Sequence, residues 1–181
     1  MTIERIEEMR LTAADEAGIA ALLKAAFGGD TDDWSGFDGR SYYKQRHHLR
    51  LVIRAGDGIV AHVALCFRDI RIGGRLTPIV GLAEVATHPD HRGAGHAGAL
   101  LRAAIAEARQ TLAEFVVLFG DRPLYAGTGF ARHDNTIRFV ALDRVETHRV
   151  IERVDDGLMV LPLHDAVWDG GAQVDLVGHN F

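Results

Sequence analysis

The sequence has little cysteine, no long apolar run and no excess of positive charge. Its 181 residues include one cysteine, Cys66, which cannot form an internal disulfide and therefore favours a reducing compartment. No stretch approaches the roughly 18 consecutive apolar residues that a membrane-spanning helix needs. The N-terminus also lacks the basic and then apolar pattern of a signal peptide. We therefore expect a cytoplasmic protein that does not insert into membranes.

The charge balance narrows the class of partner. A formal net charge of −5 argues against a nucleic-acid-binding surface, which needs a concentration of Lys and Arg. An acidic surface suits a cationic small molecule such as an amine, although many acidic proteins bind no amines. The sequence has no internal repeat and no long linker, so we interpret residues 1–181 as one domain. A homodimer stays open, because nothing in the sequence decides the oligomeric state.

The apolar periodicity predicts strands and helices along the whole chain. In chain order the predicted elements are a strand within 2–10, a helix from Thr12 to Gly28, strands at 51–53, 59–72 and 79–87, a helix with one apolar face over 97–112, a buried strand at 115–119, a short helix at 124–126, and strands at 137–142 and 158–163. The segment 30–48 has no clean period and is interpreted as loop or short helices.

These elements predict an α/β domain with a mixed sheet that is mostly antiparallel and is flanked by helices. The three strands before residue 88 are joined by glycine turns, which is typical of an antiparallel meander. The strand–helix–strand unit from Val80 to Phe119 requires a right-handed crossover, which makes its two strands parallel. We therefore expect one parallel pair in the central sheet.

A glycine-rich turn between the meander and the long helix has two interpretations. Gly93, Gly95 and Gly98 match G-x-G-x-x-G, the fingerprint of dinucleotide-binding proteins, but this match is weak when taken alone. In that fold the first glycine follows its strand almost directly, whereas the polar loop 88–92 intervenes here. An antiparallel meander also precedes the turn, and no strand–helix–strand pattern follows Gly129. A dinucleotide site is therefore the weaker interpretation.

The second interpretation starts at Arg92 and follows the pattern R-x-x-G-x-A into the helix. Glycines at these positions let backbone N–H groups converge on an anion, and the free N–H groups at the start of the helix add to them. The segment resembles the signature of the GNAT superfamily, whose members transfer an acyl group from CoA to an amine. This resemblance implies that the CoA pyrophosphate binds Arg92, Gly93, Ala94, Gly95, His96 and Ala97. A turn that merely reverses the chain is the alternative.

Two more segments resemble the same superfamily in the correct order and spacing. Val85, Ala86 and Thr87 stand where its central strand pairs with the pantetheine arm of CoA. The stretch from Leu124 to Phe130 resembles the later motif L-Y-x-x-x-G-F, and one helix and one strand fit between the two motifs. The resemblance covers residues 8–142 and implies acetyl-CoA as co-substrate. We expect residues 143–181 to complete the acceptor side.

The resemblance also supplies two candidate catalytic residues. Tyr125, the tyrosine of the later motif, is expected to protonate the departing thiolate of CoA, and core packing is the alternative. Glu84 lies on the central strand just before the CoA segment, where it can take the proton of the amine directly or through a water molecule. Strand alternation can equally direct this carboxylate to the other face of the sheet.

The histidines predict no metal site. His88, His91 and His96 lie close together in sequence, but their spacings match no common zinc pattern and no cysteine accompanies them. His62 interrupts an apolar strand, where a buried and hydrogen-bonded histidine is more common than a base. We therefore expect no bound metal.

The acceptor side is the least determined part of the sequence. Phe27–Asp30 resemble the aminoglycoside 2′-N-acetyltransferases, and Phe37–Ser41 resemble the rhizobial nodulation N-acyltransferase; both enzymes acylate an amino group on a sugar. The Asp- and Trp-rich tail of the aminoglycoside enzymes is not reproduced, which puts antibiotic binding in doubt. The residues expected either to line an acceptor pocket or to pack are Trp34, Phe37, Tyr42, Trp168 and Asp175.

The function implied by the resemblance is transfer of an acetyl group from acetyl-CoA to the primary amine of a small molecule. Amino sugars and aminoglycosides are the candidate acceptors. One alternative is a non-catalytic module that binds or senses acyl-CoA. The other is an N-acyltransferase that uses a longer acyl donor.

Overall fold

The computed structural model of the chain describes residues 1–28, 39–143 and 146–181. Its strands are β1 (Ile3–Glu7), β2 (Leu49–Ala55), β3 (Gly58–Ile72), β4 (Arg75–Thr87), β5 (Phe115–Phe119), β6 (Ala131–Arg132), β7 (Thr136–Asp143), β8 (Glu146–Val154), β9 (Leu158–Pro162) and β10 (Val174–Asp175). Its helices are α1 (Ala13–Phe27), α2 (His96–Ala108) and α3 (Pro123–Ala126), with short 3₁₀ turns at Glu8–Arg10 and Pro89–His91.

One compact unit comprises Met1–Leu65 and Ala83–Ala104. It contains β1, β2 and the first part of β3, which are paired antiparallel. Helix α1 begins where Thr12 and Asp15 form a capping box, which satisfies N–H groups that the first turn of a helix leaves free. The apolar side of α1 packs in a core cluster whose buried members are Ile19, Leu22, Leu23, Val52, Ile59 and Ala86.

A second compact unit comprises Cys66–Leu82 and Ile105–Phe181. Its strands lie in the order β6-β9-β5-β4-β3-β10-β7-β8. Strands β4 and β5 are parallel, and their register runs from Ile79 opposite Phe115 to Leu82 opposite Leu118. The buried core of this unit consists of Ile70, Ile72, Ile79, Phe115, Val117, Ile137, Phe139, Leu158, Val160, Trp168, Val174 and Leu176.

The mixed, mostly antiparallel sheet is confirmed, and so is the parallel pair formed across the α2 crossover. A second parallel pair, which was not predicted, joins the two residues of β10 to β7. Strand β8 was not predicted either. Eight of its nine residues are exposed, so its sequence ETHRVIERV lacks the apolar alternation of a half-buried strand. The interpretation of the chain as one catalytic domain stays a prediction.

Candidate active site

A glutamate in the left-handed backbone region lies within strand β4. Glu84 has a φ of +53°, although it carries a Cβ atom. That conformation costs an L-residue roughly 1–2 kcal/mol. A left-handed residue within a strand, as in a β-bulge, shifts the alternation of the residues that follow it. Because this φ departs from extended backbone, counting alternate residues along the sequence does not decide the face of the sheet to which Glu84 points.

The backbone N–H groups of the three residues after Glu84 alternate between the two edges of β4. Ala86 is buried in the core beside α1. The N–H of His88 donates to the carbonyl of Val60 on β3, at 2.9 Å. Since successive residues of a strand direct their N–H groups to opposite edges, the N–H groups of Val85 and Thr87 point away from β3. The Thr87 hydroxyl is buried and makes no hydrogen bond within the described residues.

The glycine turn is open to a ligand. Gly93 and Gly95 have φ values of +80° and +79°, and a Cβ atom built on either would meet no heavy atom within 4 Å. Helix α2 starts at His96, directly after the second glycine, so its first N–H groups lie at the turn without a partner in the helix. The turn therefore fits an anionic group such as a pyrophosphate. The Arg92 guanidinium donates to the carbonyl of Ala26 at the end of α1, at 3.4 Å.

The carboxylate of Glu84 is buried and surrounded by donors. Its Oε1 accepts the N–H of Tyr43 at 3.0 Å, and Nε2 of His47 lies 3.2 Å from the same oxygen. Its Oε2 lies 3.5 Å from Nη1 of Arg50 and accepts no hydrogen bond from the described residues. Burial pushes the pKa of Glu84 upward, but the contact with His47 and the nearby guanidinium of Arg50 outweigh it and hold the pKa below its ordinary value. Glu84 is therefore ionised at neutral pH, which is the state a base requires.

The guanidinium that faces Glu84 belongs to Arg50, which is fully buried on β2. Arg50 binds Glu8 through two bonds, from Nε to Oε2 at 2.8 Å and from Nη2 to Oε1 at 3.2 Å. Its Nη1 donates to the carbonyl of Ser41 at 2.7 Å and lies 3.3 Å from Nε2 of His62. We call Glu8, Arg50, His62 and Glu84 the buried ionic network. Sequence reasoning missed Arg50, although an arginine between leucines in a buried strand is an unusual residue.

Several buried polar atoms beside this network lack a hydrogen bond within the described part of the chain. They include the Ser41 hydroxyl and Nδ1 of His47, whose Nε2 lies 3.2 Å from Glu84. Buried polar atoms are normally hydrogen-bonded to protein or water. Together with Oε2 of Glu84, they mark a place where water or a polar ligand can bind.

Tyr125 lies in α3, in the second compact unit. Its ring packs on the Cα of Gly120, where an added Cβ would approach a ring carbon to 2.7 Å. The Phe130 ring meets it edge to face at 6.4 Å between centroids. Burial raises the pKa of the Tyr125 phenol, so the hydroxyl keeps its proton at neutral pH. This state suits an acid, and the packing of the ring also suits a structural role.

Three of the predicted acceptor residues, Trp34, Phe37 and Tyr42, lie in the N-terminal half of the chain. Trp34 and Phe37 lie outside the described residues. The half-buried ring of Tyr42 has two guanidinium groups over it, those of Arg40 and Arg46 at 5.3 and 4.7 Å from the centroid. Tyr42 therefore stacks with cations of its own chain.

The two predicted acceptor residues near the C-terminus have structural partners. Trp168 is buried, its indole N–H donates to Oδ1 of Asn135 at 2.9 Å, and its ring contacts Phe115 edge to face. Asp175 accepts the backbone N–H two residues later and lies 3.7 Å from Arg138. These surroundings are those of packing residues, so an acceptor-binding role for either stays a prediction.

The described ranges contain no group of three or more His, Cys, Asp or Glu side chains arranged to hold a metal ion. His88, His91 and His96 form a row, with ring centroids 5.8 and 6.4 Å apart, and Nδ1 of His88 accepts the N–H of Asp90. Within the same ranges, no helix has the length and apolar character needed to cross a bilayer.

Comparison with solved structures gives the same fold. The chain resembles a GNAT family acetyltransferase from Brucella melitensis in complex with acetyl-CoA (TM-score 0.62, 23% identity, 95% of each chain covered). It also resembles the GNAT family N-acetyltransferase YhbS from Escherichia coli in complex with CoA (TM-score 0.65, 24% identity, 97% of this chain and 88% of that chain). An acyl-CoA N-acyltransferase from Pseudomonas aeruginosa has a TM-score of 0.55 at 18% identity, with 84% of this chain and 99% of that chain covered. No curated protein matches the chain.

The sequence itself matches a family model over most of its length. Residues 8–132 match the acetyltransferase (GNAT) domain, and this range contains the left-handed Glu84, the open glycine turn and Tyr125. The resemblance that the motifs indicated is thereby confirmed at the level of the family, whereas the two amino-sugar branches stay predictions. This chain belongs to the GNAT acetyltransferase family.

Proposed function

We propose that the protein transfers the acetyl group of acetyl-CoA to the primary amine of a small molecule. Membership of the family makes it an acyltransferase with acetyl-CoA as co-substrate. The observation that carries the proposal is the position of Glu84, a buried anion that immediately precedes the exposed edge of β4 and the open glycine turn. The glycine turn proposed to bind CoA and the candidate base thus lie on one continuous segment of the chain.

The donor-binding role falls to backbone groups. The turn from Arg92 to Ala97 supplies N–H groups at positive-φ glycines and at the start of α2, which suit the pyrophosphate. The N–H groups of Val85 and Thr87 point to the free edge of β4, where they can pair with the amides of the pantetheine arm. The bound thioester supplies the activated acyl group.

Two side chains are assigned to proton transfer. Glu84 takes the proton of the amine, directly or through water, because Oε2 retains lone pairs that no described donor uses. Tyr125 protonates the departing thiolate, and its raised pKa keeps the phenol proton available at neutral pH. Acid–base groups of this kind typically contribute about 10²- to 10⁴-fold each.

The acceptor class is tested by a screen of thiol release from acetyl-CoA. The amines are amino sugars, aminoglycosides, polyamines and peptides, and we expect an amino sugar to react fastest. Acetyl-, malonyl- and long-chain acyl-CoA are then compared on that acceptor, with acetyl-CoA expected to be preferred. Tight CoA binding without turnover on any amine would instead make the protein a binding module.

Gly95→Ala is expected to weaken CoA binding by about tenfold or more, because a positive φ strains an L-residue and the new methyl group enters the open side of the turn. Gly74→Ala is the matched control. Gly74 has a φ of +91° and equally open surroundings, but it lies in the β3–β4 hairpin. Calorimetric titration with CoA checks the difference. Equal losses of CoA affinity in both variants would exclude a role for the turn in binding.

Tyr125→Phe is expected to lower kcat by about 100-fold while leaving the affinity for CoA unchanged. Phenylalanine keeps the packing on Gly120 and Phe130, so the melting temperature should stay near that of the wild type. Steady-state rates and calorimetry on the same samples provide the test. A variant with wild-type kcat would leave Tyr125 only its packing role.

A further inference from the structure

We propose that His62 is a positioning residue for acyl transfer, because it holds the main-chain carbonyl of Glu84 in the left-handed conformation that shapes β4. Nδ1 of His62 lies 3.0 Å from that carbonyl oxygen. The inference rests on the proposed function, since it assigns the shape of β4 a role in donor binding and catalysis.

The backbone at Glu84 requires a stabilising contact. A glutamate in the left-handed region is strained, and such residues persist only where their surroundings fix them. The carbonyl of Glu84 contacts the imidazole of His62, which is fully buried. Without the left-handed residue, the side chains and N–H groups that follow it would face the opposite way. Val85 and Thr87 would then turn their N–H groups toward β3.

The hydrogen-bonding partners fix the tautomer of His62. A guanidinium can only donate, so Nε2, 3.3 Å from Nη1 of Arg50, must be the unprotonated nitrogen. Nδ1 therefore carries the hydrogen and donates it to the carbonyl of Glu84. Burial, with Arg50 adding to it, lowers the pKa of His62 to about 3, so the ring stays neutral at physiological pH.

The buried ionic network positions both the backbone carbonyl and the side-chain carboxylate of Glu84. Glu8 fixes the Arg50 guanidinium through two bonds, and Nη1 of Arg50 then faces both Nε2 of His62 and Oε2 of Glu84. One arginine thus orients the ring that holds the backbone and also faces the carboxylate that serves as the base. Positioning of the carboxylate and positioning of the donor-binding edge are linked through His62 and Arg50.

Two amide variants, each of which reproduces the position of one ring nitrogen of His62, separate this role from packing. In His62→Asn the amide N–H occupies the place of Nδ1 and keeps the bond to the Glu84 carbonyl. In His62→Gln the amide reaches the place of Nε2, so it keeps the contact with Arg50 and loses the carbonyl. We expect the asparagine variant to retain kcat and KM for acetyl-CoA within about threefold. The glutamine variant should raise KM for acetyl-CoA and lower kcat, with a loss in kcat/KM of about 10- to 100-fold.

Two further measurements separate this inference from the proposed function. Calorimetry with CoA needs no acceptor and should detect weaker binding only in the glutamine variant. Amide NMR should show displaced Val85 and Thr87 resonances in that variant and near wild-type positions in His62→Asn. Equal behaviour of the two variants, or wild-type binding and resonances in His62→Gln, would overturn the inference. Absence of CoA binding in the wild type would instead overturn the proposed function, and the resonances would still decide whether His62 shapes β4.

Discussion

Replacing Arg50 with methionine should lower the free energy of unfolding by about 3–5 kcal/mol, which is the usual cost of removing one partner from a buried ion pair. Arg50 is fully buried, and its loss removes the guanidinium that faces the buried carboxylate of Glu84 and leaves Glu8 paired with Arg46. Methionine has a similar length, so most of the packing is kept. Urea denaturation monitored by circular dichroism provides the measurement.

Arg46→Met is the matched control for this prediction. Arg46 also pairs with Glu8, at 3.0 Å, and with Glu16, but its side chain is 53% exposed. An exposed pair of this kind contributes about 0–1 kcal/mol. Adding Glu8→Gln to Arg50→Met should recover part of the loss, because Glu8 then keeps only the exposed Arg46 as its guanidinium partner. Similar losses in the two arginine variants would show that burial of Arg50 does not matter.

Glu84→Gln should reduce kcat/KM by about 10²- to 10⁴-fold, the range typical of a removed acid or base. The amide is isosteric and can still accept the N–H of Tyr43, so the anchor of that segment is retained. Glu16→Gln is the control, since Glu16 accepts the N–H of Ser41 in the same way and pairs with an arginine, but it lies on α1. Its activity should stay near that of the wild type. Initial rates with the acceptor found in the screen decide the matter, and equal rates for the two variants would remove Glu84 from the chemistry.

The same substitution has a consequence for acid stability. The pKa of Glu84 is held below its ordinary value of 4.5, so its ionised form contributes stability above that pH. This contribution disappears as the pH falls through the lower pKa of the folded state. Glu84→Gln should therefore flatten the dependence of unfolding free energy on pH in the acidic range, as urea titrations at successive pH values would detect.

The glycine turn and the central strand could be predicted because their information is local. Arg92, Gly93 and Gly95 lie within one four-residue segment. The positive φ values of the two glycines follow from their lack of a side chain. The capping box at Thr12 was predictable for the same reason. Features of this kind can be predicted without knowing how the strands pair.

The buried ionic network could not be predicted, because its members come together only through strand pairing. Glu8 is separated from Arg50 by 42 residues, and the β1–β2 register that places Ile6 opposite Arg50 brings them close. The orientation of Glu84 depends on a left-handed φ, and alternation counts fail at such a residue. Arg50 itself carried a signal, since a lone charge in an apolar strand requires a buried partner.

On the proposed function, the left-handed backbone of Glu84 sets stability against activity at this one position. Glycine there would relieve the strain but remove the carboxylate, and an apolar replacement of the whole network would leave a core that is commonly as stable or more so. The network is therefore better understood as selecting one backbone conformation than as strengthening the fold. Selection for thermal stability alone would therefore be expected to replace Glu84 and Arg50. The expected loss of acyl transfer in such variants would be detected only by an activity assay.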